Sequence, residues 1–277
     1  MKKISVLILI GVIMTLAIGR ASTNNFQDEV KQYIAYGWMD EPEVRTWTYV
    51  ETITTADADV YLVHINEDVT GLIGPNLKVR LYNPTVKYFG VLSVGAYADG
   101  VTPVYLFGGT DYVLDGLEAI SNISFSSARA PIGFPMNPDK WSIVYSDSTL
   151  QFAGSLANDT WVNINNASLR VPAGLWNFKY QVYAEVLFAV YVGAAIISTT
   201  LSDANNTSIS EFEELFHLVA SVSNIRQTFS SSKTIELSVE KTYYLNTKYF
   251  SGGAAADYMA NGGDVTPTII RAVWGGL

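Results

Sequence analysis

The 277-residue sequence predicts an all-β fold. Three observations support this prediction. Short runs rich in β-branched and aromatic residues recur through the first half, turn-forming residues separate them, and the second half contains one long stretch of strictly alternating apolar and polar residues. Because successive side chains of a strand point to opposite faces, such alternation is typical of a half-buried strand.

The strands of the first half are predicted by composition and turn chemistry. From residue 44 onward the β-rich runs are TWTYVETI, DVYLVHI, LKVRLYN, VKYFGVLSVGAY and TPVYLFGG. The residues that interrupt them favour chain reversal: Gly71, Gly74-Pro75, Asn83-Pro84, Asp99-Gly100 and Gly108-Gly109. This spacing predicts a small antiparallel β module over residues 44–140, bounded by the Ser-, Pro- and Gly-rich stretch 124–140.

The alternating stretch of the second half runs from Trp176 to Val186. The side chains expected to face a core are Trp176, Phe178, Tyr180 and Val182. Those expected to face the other way are Lys179, Gln181 and Glu185. Further downstream, KTIELSVEKTYYLNTKYF and the C-terminal TIIRAVW predict additional strands.

Two segments have a helical pattern. FQDEVKQYIAYGW, within residues 22–43, predicts a short helix because its apolar residues fall near one helical face. In SEFEELFHLVASV, Phe212, Leu215 and Phe216 belong to a helical stripe, and Ser210 with Glu213 fits a capping box. Local rules therefore favour a helix in this second segment.

The N-terminus carries a targeting signal. Lys2 and Lys3 precede an apolar run from Ser5 to Gly19, and cleavage after Ala21 would leave small residues at the cleavage site. We therefore expect residues 1–21 to be a secretory signal, with an uncleaved membrane anchor as the alternative, and the protein to be exported. The other apolar stretch, residues 186–197, is too short to span a membrane and predicts a buried strand or hairpin.

Composition excludes several functional classes. The sequence has 17 Lys and Arg against 26 Asp and Glu, a formal charge of −9, so nucleic acid is not an expected partner. There is no cysteine, which removes disulfides, thiolate nucleophiles and sulfur-ligated metals. The glycine-rich spots at Gly108 and Ser251 lack the pattern of a phosphate-binding loop. We expect no metal and no cofactor.

The sequence gives equally weak evidence for a catalytic site. The two histidines, His64 and His217, have apolar neighbours, so packing is their simplest role. A glycosidase pair could come from acids in loop-like segments: Asp57, Asp59, Glu67, Asp68, Glu211, Glu213 and Glu214. Solvated loop carboxylates are the simpler interpretation, and no EF-hand spacing is present. No catalytic residue is predicted.

Ligand-binding residues are not identified by the sequence. Aromatic residues that could stack on a sugar are Trp141, Trp161, Trp176, Tyr180, Tyr243 and Tyr244, although most are expected in a core. Glycosylation sequons begin at Asn122, Asn158, Asn166, Asn205 and Asn206.

The first half resembles a module of bacteriophage tail, fibre and minor structural proteins. The matching elements, in order, are Asp68-Val69-Thr70, Lys78 to Leu81, Lys87 to Phe89, Gly109 to Leu114 and Gly133 to Pro135. The second half resembles the jelly-roll domains of phage fibres and of tumour-necrosis-factor and complement globular heads. Its matching elements are TWVNI, SLRVPAGLWNFKYQV, KTYYLNTKY and PTIIRAVWGGL.

These resemblances imply a jelly-roll β-sandwich over residues 141–277 and favour strands, not helix, over residues 210–222. They also imply a non-enzymatic virion or surface-fibre protein for display and host-surface adhesion, assembled as a homotrimer through its jelly-roll faces. A carbohydrate or protein receptor on a cell surface would be its partner. The alternatives are a secreted polysaccharide-degrading enzyme and an extracellular filament subunit joined by strand exchange.

Cleavage of the signal can be measured directly. N-terminal sequencing of the exported protein should begin at or near Ser22, because signal peptidase cuts after small residues. An intact Met1 in the membrane fraction would instead support the anchor.

Overall fold

A computed structural model describes residues 37–41, 45–54, 57–148, 151–153, 159–192, 195–207, 214–218, 222–251, 256–261 and 267–277. Apart from one 3₁₀ turn, all of its regular secondary structure is β, in antiparallel sheets. The predicted all-β fold is confirmed. The predicted helix near residues 26–38 lies almost entirely outside the described residues.

The N-terminal sheet has seven strands in the order β1-β7-β4-β5-β6-β3-β2. They are β1 Met39–Asp40, β2 Trp47–Thr54, β3 Asp59–Ile65, β4 Lys78–Tyr82, β5 Val86–Val94, β6 Thr102–Phe107 and β7 Ser121–Ser126. Each of the five β-rich runs forms one strand, β2 to β6. At the β5–β6 reversal Asp99 and Gly100 both have positive φ, 51° and 82°, as a two-residue hairpin turn requires.

Alternate side chains of this sheet build a core of their own. On β4, Val79 and Leu81 are buried in it, while Lys78, Arg80 and Tyr82 belong to the opposite face. Its buried members are Trp47, Tyr61, Val63, Ile65, Val69, Ile73, Val79, Leu81, Phe89, Val91, Val104, Leu106, Leu114 and Ile123.

The second half is a two-sheet sandwich. A 3₁₀ turn, Pro138–Trp141, precedes β8 Ser142–Asp147, β9 Gln151–Ala153, β10 Val162–Val171, β11 Gly174–Val192 and β12 Ala195–Ser202. There follow β13 Glu214–Leu218, β14 Val222–Leu237, β15 Lys241–Ser251, β16 Ala256–Asn261 and β17 Thr268–Trp274.

The strand order is that of a jelly roll. One sheet, here the β12 sheet, has the order β10-β15-β12-β13. In the other, the β11 sheet, β14 pairs with one side of β11, and β17 and β16 share its other side end to end. β8 and β9 then complete the outer edge. The fold class is thus a small antiparallel β unit followed by a jelly-roll β-sandwich.

The alternation predicted for residues 176–186 is confirmed on its inner face. Trp176, Phe178, Tyr180 and Val182 are all buried at 0–1% exposure. Lys179 on the opposite face is exposed, as predicted. Glu185 shares the face of Lys179 but is buried, and the Tyr183 hydroxyl donates to its Oε2 at 3.0 Å. The outer face is therefore solvated around Lys179 and covered around Glu185.

Two ambiguous segments are strands where they are described. Glu214–Leu218 forms β13 against β12, so the helix favoured by local rules is wrong there and the strand implied by the resemblance is confirmed. The apolar stretch 186–197 supplies the end of β11 and the start of β12, so it is strand as expected, but the two strands belong to different sheets and, where described, do not pair as a hairpin. Across the described residues, no helix is long and apolar enough to cross a membrane.

The two β units share one core. The larger apolar cluster contains Leu92 and Phe107 of the N-terminal sheet together with Trp176 and Trp274 of the jelly roll. The stretch 124–140, predicted as a boundary, adds Phe134 to this cluster. The domain boundary itself stays a prediction.

Three aromatic rings join the two units, together with a lysine and a glycine that pack against them. We call these five residues the junction: Lys78, Gly90, Phe134, Trp141 and Trp274. Phe134 stacks on Trp141 with centroids 4.8 Å apart, and Trp141 lies 5.5 Å from Trp274. Gly90 of β5 packs directly against the Trp274 indole, and a Cβ at this position would lie 2.5 Å from the ring. Lys78 Nζ donates to the Gly276 carbonyl and lies over the Phe134 and Trp274 rings, 5.5 and 5.7 Å from their centroids.

Phe178→Ala should strongly destabilise the jelly roll. Its ring is buried 4.7 Å from that of Tyr243, and truncating a buried aromatic costs about 3–5 kcal/mol. Lys179→Ala, one residue away on the exposed face, should change the free energy of unfolding by less than about 0.5 kcal/mol. Chemical denaturation of the two variants provides the comparison. Equal losses would show that β11 is buried on both faces at this level.

Gly90→Ala should weaken the junction, because the added methyl overlaps the buried Trp274 ring, and overpacking of this kind costs about 1–3 kcal/mol. The matched control is Gly74→Ala, where a Cβ would meet nothing within 4 Å. A thermal melt followed by tryptophan fluorescence reports both. A melting temperature unchanged by Gly90→Ala would contradict the tight packing of β5 on Trp274.

Candidate functional site

The two histidines do not form a site. His64 lies on β3, half-buried between Thr48 of β2 and Pro103 of β6. His217 lies on β13, opposite Ile196 in the β12 sheet. The histidines belong to different sheets and share no neighbouring strand. Their arrangement gives no support to a paired catalytic role.

The acidic candidates of the sequence are dispersed, and those with described contacts have separate structural partners. Asp57 accepts the backbone N–H of Arg170 at 2.6 Å, and Glu67 pairs with Arg45 at 3.0 Å. Asp68 accepts the Thr70 hydroxyl and backbone N–H, which lowers the pKa of its carboxyl. Asp59 is exposed at the start of β3.

The remaining acids lie elsewhere. Glu214 is on β13, and Glu211 and Glu213 fall outside the described residues. Within the described ranges no group of three or more His, Asp or Glu side chains is placed to hold a metal ion.

Most of the aromatic candidates are core residues. Trp141, Trp176, Tyr180 and Tyr243 are buried. Trp161 and Tyr244 are partly exposed, and Lys248 Nζ lies 4.9 Å from the centroid of the Trp161 ring. Of the six aromatic candidates for stacking on a sugar, only Trp161 and Tyr244 are therefore accessible to a ligand.

A polar cleft of about 670 Å³ opens where β1, β4 and β7 meet. Its floor is a row of directly opposed residues across the three strands: Asp40 pairs with Ser124, and Ser124 pairs with Arg80. Ser124 Oγ donates to Asp40 Oδ1 at 2.8 Å and accepts from Arg80 Nη2 at 3.0 Å. The Arg80 guanidinium also lies over the Trp38 ring, 5.1 Å from its centroid. The donors and acceptors of the floor are thus fixed before any ligand arrives.

Two residues that line the polar cleft, Glu41 and Arg45, form a charged cluster with Glu67, which lies behind them. Arg45 bonds to Glu41 Oε1 at 3.2 Å and to Glu67 Oε2 at 3.0 Å. The Glu41 side chain is only 2% exposed, and this burial raises the pKa of its carboxyl despite the neighbouring guanidinium. Its second oxygen, Oε2, is buried without a hydrogen-bond partner.

The far end of the cleft is shaped by an irregularity in β7. Between Arg80 and Tyr82 the β4–β7 register shifts, and Asn122 takes a positive φ of 48°. A smaller hollow of about 180 Å³ adjoins there, and it shares Arg80 and Asn122 with the cleft. Tyr82, 43% exposed, and Val86 line this hollow. Bulges of this kind redirect side chains and are common beside functional sites.

The second candidate surface is the β14 side of the β11 sheet. Among the described strands β14 hydrogen-bonds to β11 alone, over sixteen residues that contain neither Pro nor Gly. Thr228, Ser230, Ser232 and Thr234 are exposed on the same face as Lys179. Val144 and Ser146 of β8, at the opposite edge of the sheet, are exposed there too.

Comparison with known proteins leaves the family open, since no family model and no curated protein matches the chain. A structure of infectious bursal disease virus, Gx strain, is similar with a TM-score of 0.32 and 12% identity over 87% of this chain and 58% of that chain. Dimeric latent PorU from Porphyromonas gingivalis gives 0.23 and 12%, over 81% and 24%. The Dit protein (gp 19.1) of phage SPP1, described as a hub of the adsorption apparatus, gives 0.17 and 10%, over 83% and 94%. Likenesses at these TM-scores carry no argument about this chain's fold or function.

Proposed function

We propose that the chain is a non-enzymatic structural component of a virion or surface fibre that self-associates through its jelly roll and displays a receptor-binding surface. The observation that carries the proposal is the difference between the outer faces of the two jelly-roll sheets. One is covered at its centre by a loop of the same chain, whereas the other is exposed along a long strand, β14, which pairs with β11 alone among the described strands.

The outer face of the β12 sheet is covered at its centre. Thr200 and the opposing Asn246 point away from the sandwich core, yet both are 0% exposed. Asn246 Nδ2 donates to the Ala204 and Thr207 carbonyls at 3.1 and 2.8 Å, which holds the loop after β12 over this face. The centre of this face is therefore not accessible to a partner.

The outer face of the β11 sheet is open around Lys179 and along β14. An edge strand presents unpaired backbone N–H and C=O groups, and natural proteins usually shorten, cover or charge such strands. β14 is long, and four successive outward positions hold small hydroxyl side chains, Thr228 to Thr234. This combination suits a surface that pairs with another chain.

The junction supports a mechanical role. Trp274 and Trp141 belong to one continuous core with the N-terminal sheet. Because such cores are closely packed, a force applied to one unit, or a displacement of it, is transmitted to the other. A display protein needs this rigidity between its base and its head.

The position of β14, which pairs with β11 alone among the described strands, also favours a second candidate, a filament subunit joined by strand pairing. Pairing along β14 would extend the β11 sheet from one copy to the next, whereas a homotrimer would bury the face of the sheet. Substitutions at the two edges of the sheet distinguish these modes.

The test introduces two lysines at either edge of the open face. Ser230→Lys with Ser232→Lys charges the β14 edge, and Val144→Lys with Ser146→Lys is the matched control at β8, again at two exposed outward positions. Sedimentation velocity and negative-stain microscopy give the assembly state. Loss of assembly in the β14 variant alone indicates edge pairing, and loss in both indicates packing through the whole face.

A wild-type chain that stays monomeric over the accessible concentration range would contradict self-association. Release of reducing ends from capsule polysaccharide by the same preparation would select the polysaccharide-degrading enzyme instead.

A further inference from the structure

Among the described residues that line the polar cleft, the charges are balanced. They are two carboxylates, Asp40 and Glu41, and two guanidiniums, Arg45 and Arg80. A cation would face the arginines and an anion would face the acids, so neither kind of charge is favoured as a whole. A neutral ligand that offers both donors and acceptors meets the fewest unfavourable contacts.

Glu41 supplies a second, independent indication. Buried polar atoms are nearly always hydrogen-bonded, so a buried carboxylate oxygen without a partner leaves an unmet demand for a hydrogen-bonding group. Glu41 lines the cleft and has such an atom in Oε2, while Oε1 accepts from Arg45 and from Trp47 Nε1 at 3.2 and 3.5 Å. Burial raises the pKa of this carboxyl, and a hydroxyl group suits either protonation state because it can donate or accept.

The size of the cleft suits a small ring compound. A volume of about 670 Å³ lies within the usual range of small-molecule sites, roughly 300–1,000 Å³. Tyr82 at the end of the hollow offers an exposed ring, and aromatic faces pack against the apolar faces of sugars while polar groups bond to the hydroxyls.

From these observations we infer that the polar cleft binds a neutral saccharide, with Asp40, Glu41 and Arg80 bonding to its hydroxyls and Tyr82 packing on a ring face. The inference deepens the proposed display function by assigning a ligand class and a location to the receptor-binding surface. It places the binding site on the N-terminal sheet, away from the jelly-roll face proposed for assembly.

The first measurement applies the full-length exported chain to a microarray of neutral oligosaccharides of glucose, galactose, mannose and N-acetylhexosamines, with sialylated glycans alongside. Retention of neutral glycans is expected. The strongest neutral binder is then titrated calorimetrically against wild type and variants. Retention of sialylated glycans only, or of none, would overturn the inference.

Tyr82→Ala should weaken binding about tenfold, the scale of one lost ring contact, whereas Tyr97→Ala should leave it unchanged. The two tyrosines are matched in exposure, 43% and 45%, but only Tyr82 lines the hollow. Equal effects of the two substitutions would refute the placement.

Glu41→Gln separates binding from structure. A role limited to holding Arg45 predicts a shifted melting temperature with unchanged affinity, which would count against the inference. A binding role predicts weaker affinity for the neutral glycan in addition to any shift in melting temperature caused by the weakened Arg45 contact. Sedimentation of the same samples keeps the proposals apart, since assembly without glycan binding removes the cleft inference alone, and glycan binding by a monomer removes the assembly proposal alone.

Discussion

The packing of the Trp274 indole on Gly90 is the constraint on which the rest of the architecture depends. Only a residue without a Cβ lets the ring approach β5 so closely, and the ring then packs at a tilt against the stacked pair Trp141 and Phe134. Lys78 is enclosed by the same rings. Its burial lowers the pKa of its ammonium, and the Gly276 carbonyl and two aromatic faces offset that desolvation. The last residues of the chain thereby hold the first sheet in place.

The junction also determines where the polar cleft lies. Lys78, Arg80 and Tyr82 are every second residue of β4, so their side chains follow one another along the same outer face of the strand. Each of the three has different surroundings. Lys78 is enclosed in the junction, Arg80 lies over the Trp38 ring, and Tyr82 is exposed. A single strand therefore runs from the core of the molecule to its proposed ligand surface, and a shift of the junction would displace the cleft.

The sequence predicted those features that depend on local pattern. The strands β2 to β6 and the inner face of β11 follow from composition and period-2 alternation. The helix favoured near Glu214 is wrong because pairing with β12 outweighs a helical stripe, a tertiary effect that local rules do not include. The polar cleft could not be predicted, since residues near positions 40, 80 and 122 meet only through non-local pairing of β1, β4 and β7. The sequon at Asn122 coincides with the irregularity in β7 but does not indicate that the strand lies beside Glu41 and Arg80.

The jelly roll illustrates why burial, not composition, indicates where such a protein can associate. Both of its sheets carry Ser, Thr and Asn on their outer faces, and the sequence alone does not distinguish the covered face from the exposed one. Around Asn246 these groups bond to the chain's own loop, so their hydrogen-bonding capacity is used and their surface is closed. Along β14 similar groups remain exposed beside an edge of the backbone. The same residue types thus stabilise one sheet internally and remain exposed on the other, and the proposed self-association depends on this asymmetry.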